Sequence, residues 1–342
     1  MNTLRESQLL AFLASNGWQQ AERVALAGDA SNRRYERLTG VSAGRKAVLM
    51  DAPPEKGEDI RPFIAIARHL KNLGLSSPEV FSADASQGFA LLEDLGDTLF
   101  AKLLADTPER ETELYLAATD VLLTLHAASP PPAPDYGPQT MVPLAGLSFQ
   151  WYGFGATSRI NDTGKAAMQA ELAANLDALQ PWQPVLVLRD YHAENLFWLA
   201  DRKGPARVGL IDFQDAGIGH PAYDLISLAR DARRKVEHET ETRMIAHYCS
   251  RTGQDPESFG RAAAVMSAQR NLRILGVFAR LSMHFGKAQY VDLIPRTWAL
   301  LMEDLAHPAL DRLHRIVRSN LPEPTPAILE TLRSKCGTIP QL

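Results

Sequence analysis

The 342-residue sequence has few cysteines, no large charge excess and no long apolar run. Its two cysteines, Cys249 and Cys336, stand far apart without metal-ligand spacing; this indicates reduced thiols in a cytoplasmic protein and argues against a disulfide scaffold or a zinc site. A formal net charge of −4 gives no electrostatic reason to expect nucleic acid or an anionic membrane as a partner. No segment approaches the ~18 apolar residues of a membrane span, and the first residues lack the basic and apolar regions of an export signal.

Size and patterning favour a globular protein with two lobes. The apolar fraction of 45% and the charged fraction of 22% are ordinary for such proteins, and the length exceeds what one small core would need. Strand-like segments dominate the first hundred residues, whereas helical periodicity dominates the rest. The sequence therefore predicts an α+β fold with a small β-rich lobe over residues 1–95 and a larger, mainly helical lobe over residues 96–342.

The local patterns also predict individual elements. Helices are expected at 4–18, 62–73, 108–128 and 164–179, and again across most of 239–318. Strands are expected at 24–26, 35–38, 47–50, 80–81, 89–92, 185–188, 196–199 and 208–211. Within the helix at 62–73, one face is expected to carry Phe63, Ile66, Ala67 and Leu70.

Two short acidic segments carry the chemical signal. Residues 188–195 contain Asp190 and Asn195, five apart, and residues 211–215 contain Asp212. Mg²⁺ prefers oxygen ligands such as carboxylates and amide carbonyls, and a catalytic base cannot also serve as a metal ligand. The segments therefore predict a phosphoryl-transfer enzyme that uses ATP and Mg²⁺, with Asp190 as the base and with Asn195 and Asp212 as the metal ligands. The three side chains are expected to converge around the ion.

Two further segments have features of a nucleotide site. Residues 28–34 are small and polar between two strand-like stretches, so their backbone N–H groups could approach phosphate oxygens, although a plain turn is the alternative. Residues 93–96 interrupt a strand pattern with a glycine. Backbone groups there could meet an adenine edge, and a simple loop explains the local sequence equally well.

At these residues the chain resembles the aminoglycoside phosphotransferase and choline kinase branch of the protein-kinase-like fold. The matching segments are 190–195, 211–213 and 219–225. Within that branch it is similar to the bacterial kinases that phosphorylate N-acetylmuramate and N-acetylglucosamine at the anomeric position. Four segments carry this second resemblance, namely 28–35, 50–54, 91–96 and 269–276.

The resemblance implies a role for each matching residue. Asp190 would be the base, Asn195 and Asp212 would hold Mg²⁺, Ser31, Asn32 and Arg33 would lie over the triphosphate, and Glu93 would lie beside the nucleotide base. Asp224 would anchor the catalytic loop through backbone N–H groups, and Asp215 would support a loop or contact the substrate. The acceptor would be the hydroxyl of a small molecule, with an amino sugar as the first choice, and the protein would be a cytoplasmic monomer or weak dimer.

The sequence departs from the kinase pattern at one charged pair. Kinases usually place a lysine on the third strand, paired with a helix glutamate, but here the expected lysine position holds Met50. The helix that follows lacks an inward glutamate, since only Glu55 and Glu58 precede it. We expect Arg34 or Arg33 to supply the missing cation, because guanidinium binds phosphate in a bidentate manner.

Three alternatives remain open at this level. An aminoglycoside-type antibiotic kinase or a choline-like kinase would need an acidic acceptor pocket, but residues 141–155 contain no Asp or Glu. Related sugar kinases usually carry acidic residues in that segment, so the particular sugar is also open. A pseudokinase that binds nucleotide without turnover would explain the missing lysine and glutamate, although the base and both metal ligands are present. The aromatic stretch 149–154 could line a pocket or belong to the core.

Overall fold

The computed structural model describes residues 3–26, 32–41 and 45–342, which form two compact units. One unit consists of Met1–Arg110 and Ala193–Ala216, and the other consists of Glu111–His192 and Gly217–Leu342. Asp190 therefore belongs to the second unit, whereas Asn195 and Asp212 belong to the first. The lobes predicted from the sequence, 1–95 and 96–342, have different limits and remain a prediction.

A five-stranded sheet lies within the first 92 residues and helices dominate the later part of the chain, which confirms the α+β fold class. The strands are β1 (Glu22–Ala25), β2 (Arg34–Val41), β3 (Arg45–Asp51), β4 (Val80–Asp84), β5 (Phe89–Leu92), β6 (Val185–Val187), β7 (Leu196–Trp198), β8 (Val208–Leu210) and β9 (Gly217–Gly219). The helices are α1 (Thr3–Ser15), α2 (Arg61–Asn72), α3 (Phe100–Asp106), α4 (Glu111–His126), α5 (Pro138–Ala145), α6 (Phe154–Thr157), α7 (Asp162–Asp177), α8 (Ala222–Ala229), α9 (His238–Thr252), α10 (Pro256–Met283), α11 (Ile294–Leu305), α12 (Asp311–Asn320) and α13 (Pro326–Ser334). No helix in the described part of the chain is both long and apolar enough to cross a membrane.

The first unit is built on a five-stranded antiparallel sheet with the strand order β1-β2-β3-β5-β4. Because side chains alternate between the faces of a strand, Leu49 and Leu91, which pair across β3 and β5, point to the same face. Helix α1 covers that face, and Phe12 stacks on Phe89 with ring centroids 5.6 Å apart. Burying each such side chain contributes about 1.5–3 kcal/mol, so α1 closes the core on this side.

Helix α2 packs against the segment that contains the predicted metal ligand Asp212. Its buried residues are Phe63, Ile66, Ala67 and Leu70, which confirms the predicted face. The ring of Phe63 stacks on Phe213 at 5.0 Å between centroids. Since Phe213 follows Asp212 directly, this contact fixes the backbone next to a predicted metal ligand.

Two short antiparallel strand pairs flank the predicted catalytic segments. Strand β6 pairs with β9 in the second unit, and β7 pairs with β8 in the first. The strands predicted at 185–188, 196–199 and 208–211 are confirmed to within one residue at each end. The chain between β6 and β9 therefore contains the β7–β8 hairpin together with both acidic segments.

Helix α10 is the central element of the second unit. Asp255 caps its first turn by accepting a 2.8 Å hydrogen bond from the N–H of Ser258, which satisfies one free donor of the helix. The helix packs closely against the π-helical segment Ser148–Gly153 and against Leu147, the residue before it. A Cβ on Gly276 would stand only 2.2 Å from the carbonyl carbon of Leu147. The rings of that segment, Phe149, Trp151 and Tyr152, are buried. The aromatic stretch therefore belongs to the core.

Candidate active site

The loop that carries Asp190 is held by a buried carboxylate. Asp224, fully buried in the first turn of α8, accepts hydrogen bonds from the N–H groups of Leu188 at 2.5 Å and Arg189 at 2.9 Å. These are the backbone bonds that the sequence predicted for Asp224. They fix the two residues before Asp190, so the predicted base follows a segment that hydrogen bonds hold in place.

The backbone reverses at Arg189. Its φ of 71° lies in the left-handed region, which favours glycine and costs other residues about 1–3 kcal/mol. A glycine would adopt this conformation without that cost. Here the guanidinium of Arg189 stacks over the ring of Tyr136, 4.5 Å from its centroid, and this cation–π contact offsets part of the strain.

The surroundings of the loop shift the pKa values of its buried groups. The pKa of Asp224 is raised to about 7, chiefly by burial; the two N–H bonds and Arg270 oppose the shift, and Asp190 adds to it. Burial lowers the pKa of His192 well below its usual value, and Arg233 and Arg270 act in the same direction. His192 is therefore a neutral side chain at physiological pH, and the cations of this region are arginines.

The two predicted metal ligands lie together in the first unit. Nδ2 of Asn195 stands 3.4 Å from Oδ2 of Asp212, and the N–H of Ile211 donates to the carbonyl of Asn195 at 3.2 Å. Asp212 has a φ of 61°, a left-handed conformation that turns its carboxylate out of the strand direction. The β7–β8 hairpin thus brings together two residues 17 positions apart.

The donor set fits a magnesium ion. A half-turn of the Asn195 amide would present its oxygen beside the Asp212 carboxylate, and both are hard oxygen donors. Gln214 donates from Nε2 to Oδ1 of Asp212 at 2.8 Å, while its own Oε1 is buried without a hydrogen-bond partner among the described residues. That oxygen is suited to a metal-bound water. Within the described ranges no three His, Cys, Asp or Glu side chains form a metal cage, and magnesium on a nucleotide needs only one or two protein ligands.

The loop at residues 28–34, which is predicted to cover the triphosphate, lies only partly within the described residues. Ser31 and residues 28–30 lie outside the described residues. The backbone N–H of Asn32 donates to Oε1 of Glu58 at 3.1 Å, and Nε of Arg33 donates to Oε2 of the same carboxylate at 2.8 Å. Glu58, which precedes α2, therefore orders this end of the loop.

The two candidate arginines point to different carboxylates. Arg33 also hydrogen-bonds the side chain of Tyr35. Burial raises the pKa of Tyr35, while Arg33 opposes the shift and Asp212 adds to it, so Arg33, Tyr35 and Asp212 lie in one neighbourhood. Arg34 instead donates to Oδ2 of Asp51 at 2.8 Å, with 53% of its side chain exposed.

The structure contains an ion pair that the sequence did not predict. Met50 is fully buried in the sheet and carries no charge, and α2 contains no glutamate, as expected. Glu58, which precedes α2, pairs with Arg33. The sequence pattern did not predict this ion pair, because Glu58 lies outside the predicted helix. The contacts of Gln214 and Tyr35 were not predicted either. Gln214 could have been noticed because it stands two residues after Asp212, and Tyr35 because it is the last residue of the motif at 28–35.

Glu93 is bound to its neighbours in the first unit. Its N–H donates to the carbonyl of Glu79 at 2.8 Å, and its carboxylate accepts from the N–H of Glu79 at 3.2 Å. The same carboxylate pairs with Arg202. A contact between Glu93 and adenine would therefore not use its N–H group.

Comparison with known proteins agrees with these features. Residues 22–262 match the phosphotransferase enzyme family. The chain is 36% identical to an N-acetylmuramate/N-acetylglucosamine kinase of Caulobacter vibrioides, over 92% of this chain and 96% of that protein. It is 30% identical to the protein of that name from Pseudomonas putida, over 91% and 93% of the two chains.

A solved structure shares the fold at low sequence identity. The choline/ethanolamine kinase family protein from Mesorhizobium loti superposes with a TM-score of 0.59 at 15% identity, covering 92% of this chain and 99% of that one. This likeness confirms the two-lobed, protein-kinase-like fold class that the sequence predicted. The family match spans more than half of the 342 residues, and the two relatives extend it over nearly the whole chain, so the protein belongs to the phosphotransferase enzyme family.

Proposed function

We propose that the protein is a kinase that transfers the γ-phosphoryl group of ATP to the anomeric hydroxyl of an amino sugar, N-acetylmuramate or N-acetylglucosamine. The observation that carries the proposal is the loop before Asp190, held by two hydrogen bonds from its backbone to Asp224. The names of the two relatives supply the sugar. A cytoplasmic monomer or weak dimer, without a nucleic-acid or membrane partner, belongs to the same proposal.

On the acceptor side, Asp190 orients the sugar hydroxyl and accepts its proton as the oxygen–phosphorus bond forms. The anchored loop holds the carboxylate in place, so little entropy is lost when the hydroxyl binds. Asp224 supports this loop and takes no proton from the substrate. The neutral His192 adds no competing charge beside the base.

On the nucleotide side, Asn195 and Asp212 would hold Mg²⁺, which when bound would neutralise charge on the β- and γ-phosphates. Gln214 would keep the Asp212 carboxylate oriented. Arg33, already held by Glu58 and Tyr35, would supply the cation that a third-strand lysine provides elsewhere. Ser31 and Asn32 would cover the triphosphate, and Glu93 would lie beside the adenine.

An acceptor panel tests the function. ADP release is measured with Mg²⁺-ATP and each of four acceptors: N-acetylmuramate, N-acetylglucosamine, kanamycin and choline. We expect turnover with at least one of the sugars and none with the two cationic acceptors. Turnover with kanamycin or choline alone would replace the sugar assignment, and tight ATP binding without turnover of any acceptor would indicate a pseudokinase.

Asp190→Asn tests the base. The amide keeps the shape of the side chain but cannot accept the proton, so kcat should fall by roughly 10²–10⁴-fold with ATP affinity retained. Steady-state kinetics and nucleotide titration measure the two effects. Asp177→Asn, an exposed carboxylate at the end of α7, is the matched control and should keep normal turnover. Near-normal kcat in Asp190→Asn would exclude this residue as the base.

A further inference from the structure

Two arginines of α10 approach the Asp190 loop without a carboxylate partner. Arg270 is only 4% exposed, and among the described residues it forms no hydrogen bond or ion pair. Arg273, one turn later, has a single hydrogen bond within the described chain, from Nη1 to the hydroxyl of Tyr223 at 3.3 Å. A buried guanidinium such as that of Arg270 is costly without an anion, so this part of α10 is suited to a negatively charged ligand.

Two tyrosines connect Arg273 to the loop that carries Asp190. The hydroxyl of Tyr223 is 3.0 Å from that of Tyr136, and the two rings meet edge to face at 5.1 Å. The guanidinium of Arg189, the residue before Asp190, stacks on the same Tyr136 ring. Asp190 itself acts electrostatically on Arg273. Arg273 is only partly buried, so part of its side chain is accessible to a ligand.

A second cation, Arg280, lies near Arg273 on α10. Arg280, two turns along α10, has a pKa lowered first by burial and then by Arg273, which means that the two cations repel each other. Asp190 acts electrostatically on Arg273, and Arg270 lowers the pKa of Asp224. Such surroundings disfavour a cationic acceptor and favour an anionic one.

We infer that Arg273, supported by Arg270, binds a carboxylate on the acceptor and so makes the enzyme prefer an acidic sugar. This inference rests on the proposed sugar kinase function. The two candidate sugars differ in one group, because N-acetylmuramate carries an ether-linked lactate whose carboxylate N-acetylglucosamine lacks. A guanidinium binds a carboxylate through two parallel hydrogen bonds. A phosphate of the nucleotide is the other anion that could reach Arg273, and the kinetics below separate the two.

The test compares kcat and KM for both sugars and for ATP in the wild type and in Arg273→Gln. Loss of a charged hydrogen bond should lower kcat/KM for N-acetylmuramate about 10- to 100-fold, mainly through KM. The value for N-acetylglucosamine should stay within about 3-fold, and KM for ATP should not change. Arg273→Lys should restore part of the N-acetylmuramate preference, since it keeps the charge without the fork. Arg243→Gln, on an exposed side chain of α9, is the matched control.

The outcomes separate the possible roles of Arg273. An equal loss with both sugars would mean that it only supports the Asp190 loop, and a raised KM for ATP would assign it to phosphate; either result overturns the inference. An unchanged ratio between the sugars overturns it too. A wild type that turns over neither sugar would instead refute the proposed function. In that case calorimetry with N-acetylmuramate decides: binding that Arg273→Gln abolishes retains the inference, and absent or unaffected binding removes it. Thermal unfolding of each variant checks folding.

Discussion

Arg33 and Arg34 are neighbours in the chain, yet their side chains bind carboxylates in different parts of the first unit. Arg33 pairs with Glu58 and bonds Tyr35 near Asp212, whereas Arg34 pairs with Asp51. Consecutive side chains along an extended strand point to opposite faces, so one of two adjacent cations is directed toward the predicted metal ligand. This geometry favours Arg33 as the replacement for the missing lysine.

Exchanging each arginine for methionine tests this choice. Arg33→Met should raise KM for ATP about 10- to 100-fold, because it removes a charged hydrogen bond to the phosphates. Arg34→Met should change it by less than about 3-fold, since that side chain is half exposed and pairs with Asp51. Initial rates at saturating acceptor give both values. An unchanged KM in Arg33→Met with a raised KM in Arg34→Met would identify Arg34 as the replacement cation. Normal values in both variants would show that neither arginine replaces the lysine.

Backbone strain is concentrated at the proposed site. The non-glycine residues with positive φ in the described ranges are Ser158, Arg189 and Asp212. Two of these three are a predicted metal ligand and the residue before the predicted base. Residues hold such conformations only when surrounding contacts enforce them; here those contacts include the bond from Arg189 to Asp224 and the bond from Gln214 to Asp212. The residue types gave no sign of this strain.

At the scale of elements, the position of α10 depends on a close contact at Gly276. A methyl group there would meet the backbone of Leu147 and Ser148, which cannot rotate away. We therefore expect Gly276→Ala to destabilise the protein by about 1–3 kcal/mol despite the higher helix propensity of alanine. Urea unfolding measures the change in the free energy of unfolding.

The same helix offers the control. A Cβ on Gly260 would have no atom within 4 Å, so Gly260→Ala should stabilise the protein by about 0.5–1 kcal/mol through helix propensity alone. Equal effects of the two substitutions would show that the contact at Leu147 relaxes readily and that α10 is not held there by close approach.

Elements with strong local periodicity were predictable, and their partners were not. The buried face of α2 follows from the spacing of Phe63, Ile66 and Leu70, because residues three and four apart share a helix face. The stacking of Phe63 on Phe213 joins residues 150 positions apart, a separation over which periodicity carries no information. For the same reason the sequence pattern did not predict that Glu58 forms an ion pair with Arg33.

At the scale of the whole molecule, a partly buried histidine makes folding sensitive to acid. Nδ1 of His126 lies 2.8 Å from the hydroxyl of Tyr248, and burial lowers the pKa of His126 to about 3, with a smaller contribution from His220. An unfolded histidine titrates near 6.5. The unfolded state therefore binds the extra proton between about pH 6.5 and pH 3, so the stability contribution is complete above that window and is lost as the pH falls through it.

The variant His126→Gln isolates this effect from other titrating groups. The amide can keep a hydrogen bond to Tyr248 but cannot take up a proton. Below about pH 6.5 the wild type should lose stability relative to the variant by about 1.4 kcal/mol per pH unit. Chemical unfolding of both proteins at pH 7.5, 6 and 5 measures the difference. Parallel pH profiles would show that His126 is protonated in the folded state or reaches solvent.

The sequence by itself determined the α+β class, the family resemblance and the residue types that phosphoryl transfer needs. Those properties depend on local spacing and on side-chain chemistry, which a linear pattern records. Only the tertiary structure decided that Arg33 faces the region of Asp212, that Glu58 is its carboxylate partner, and that Arg270 and Arg273 approach the Asp190 loop without one. Each of these depends on side chains brought together by packing between distant segments, and no local pattern encodes that proximity.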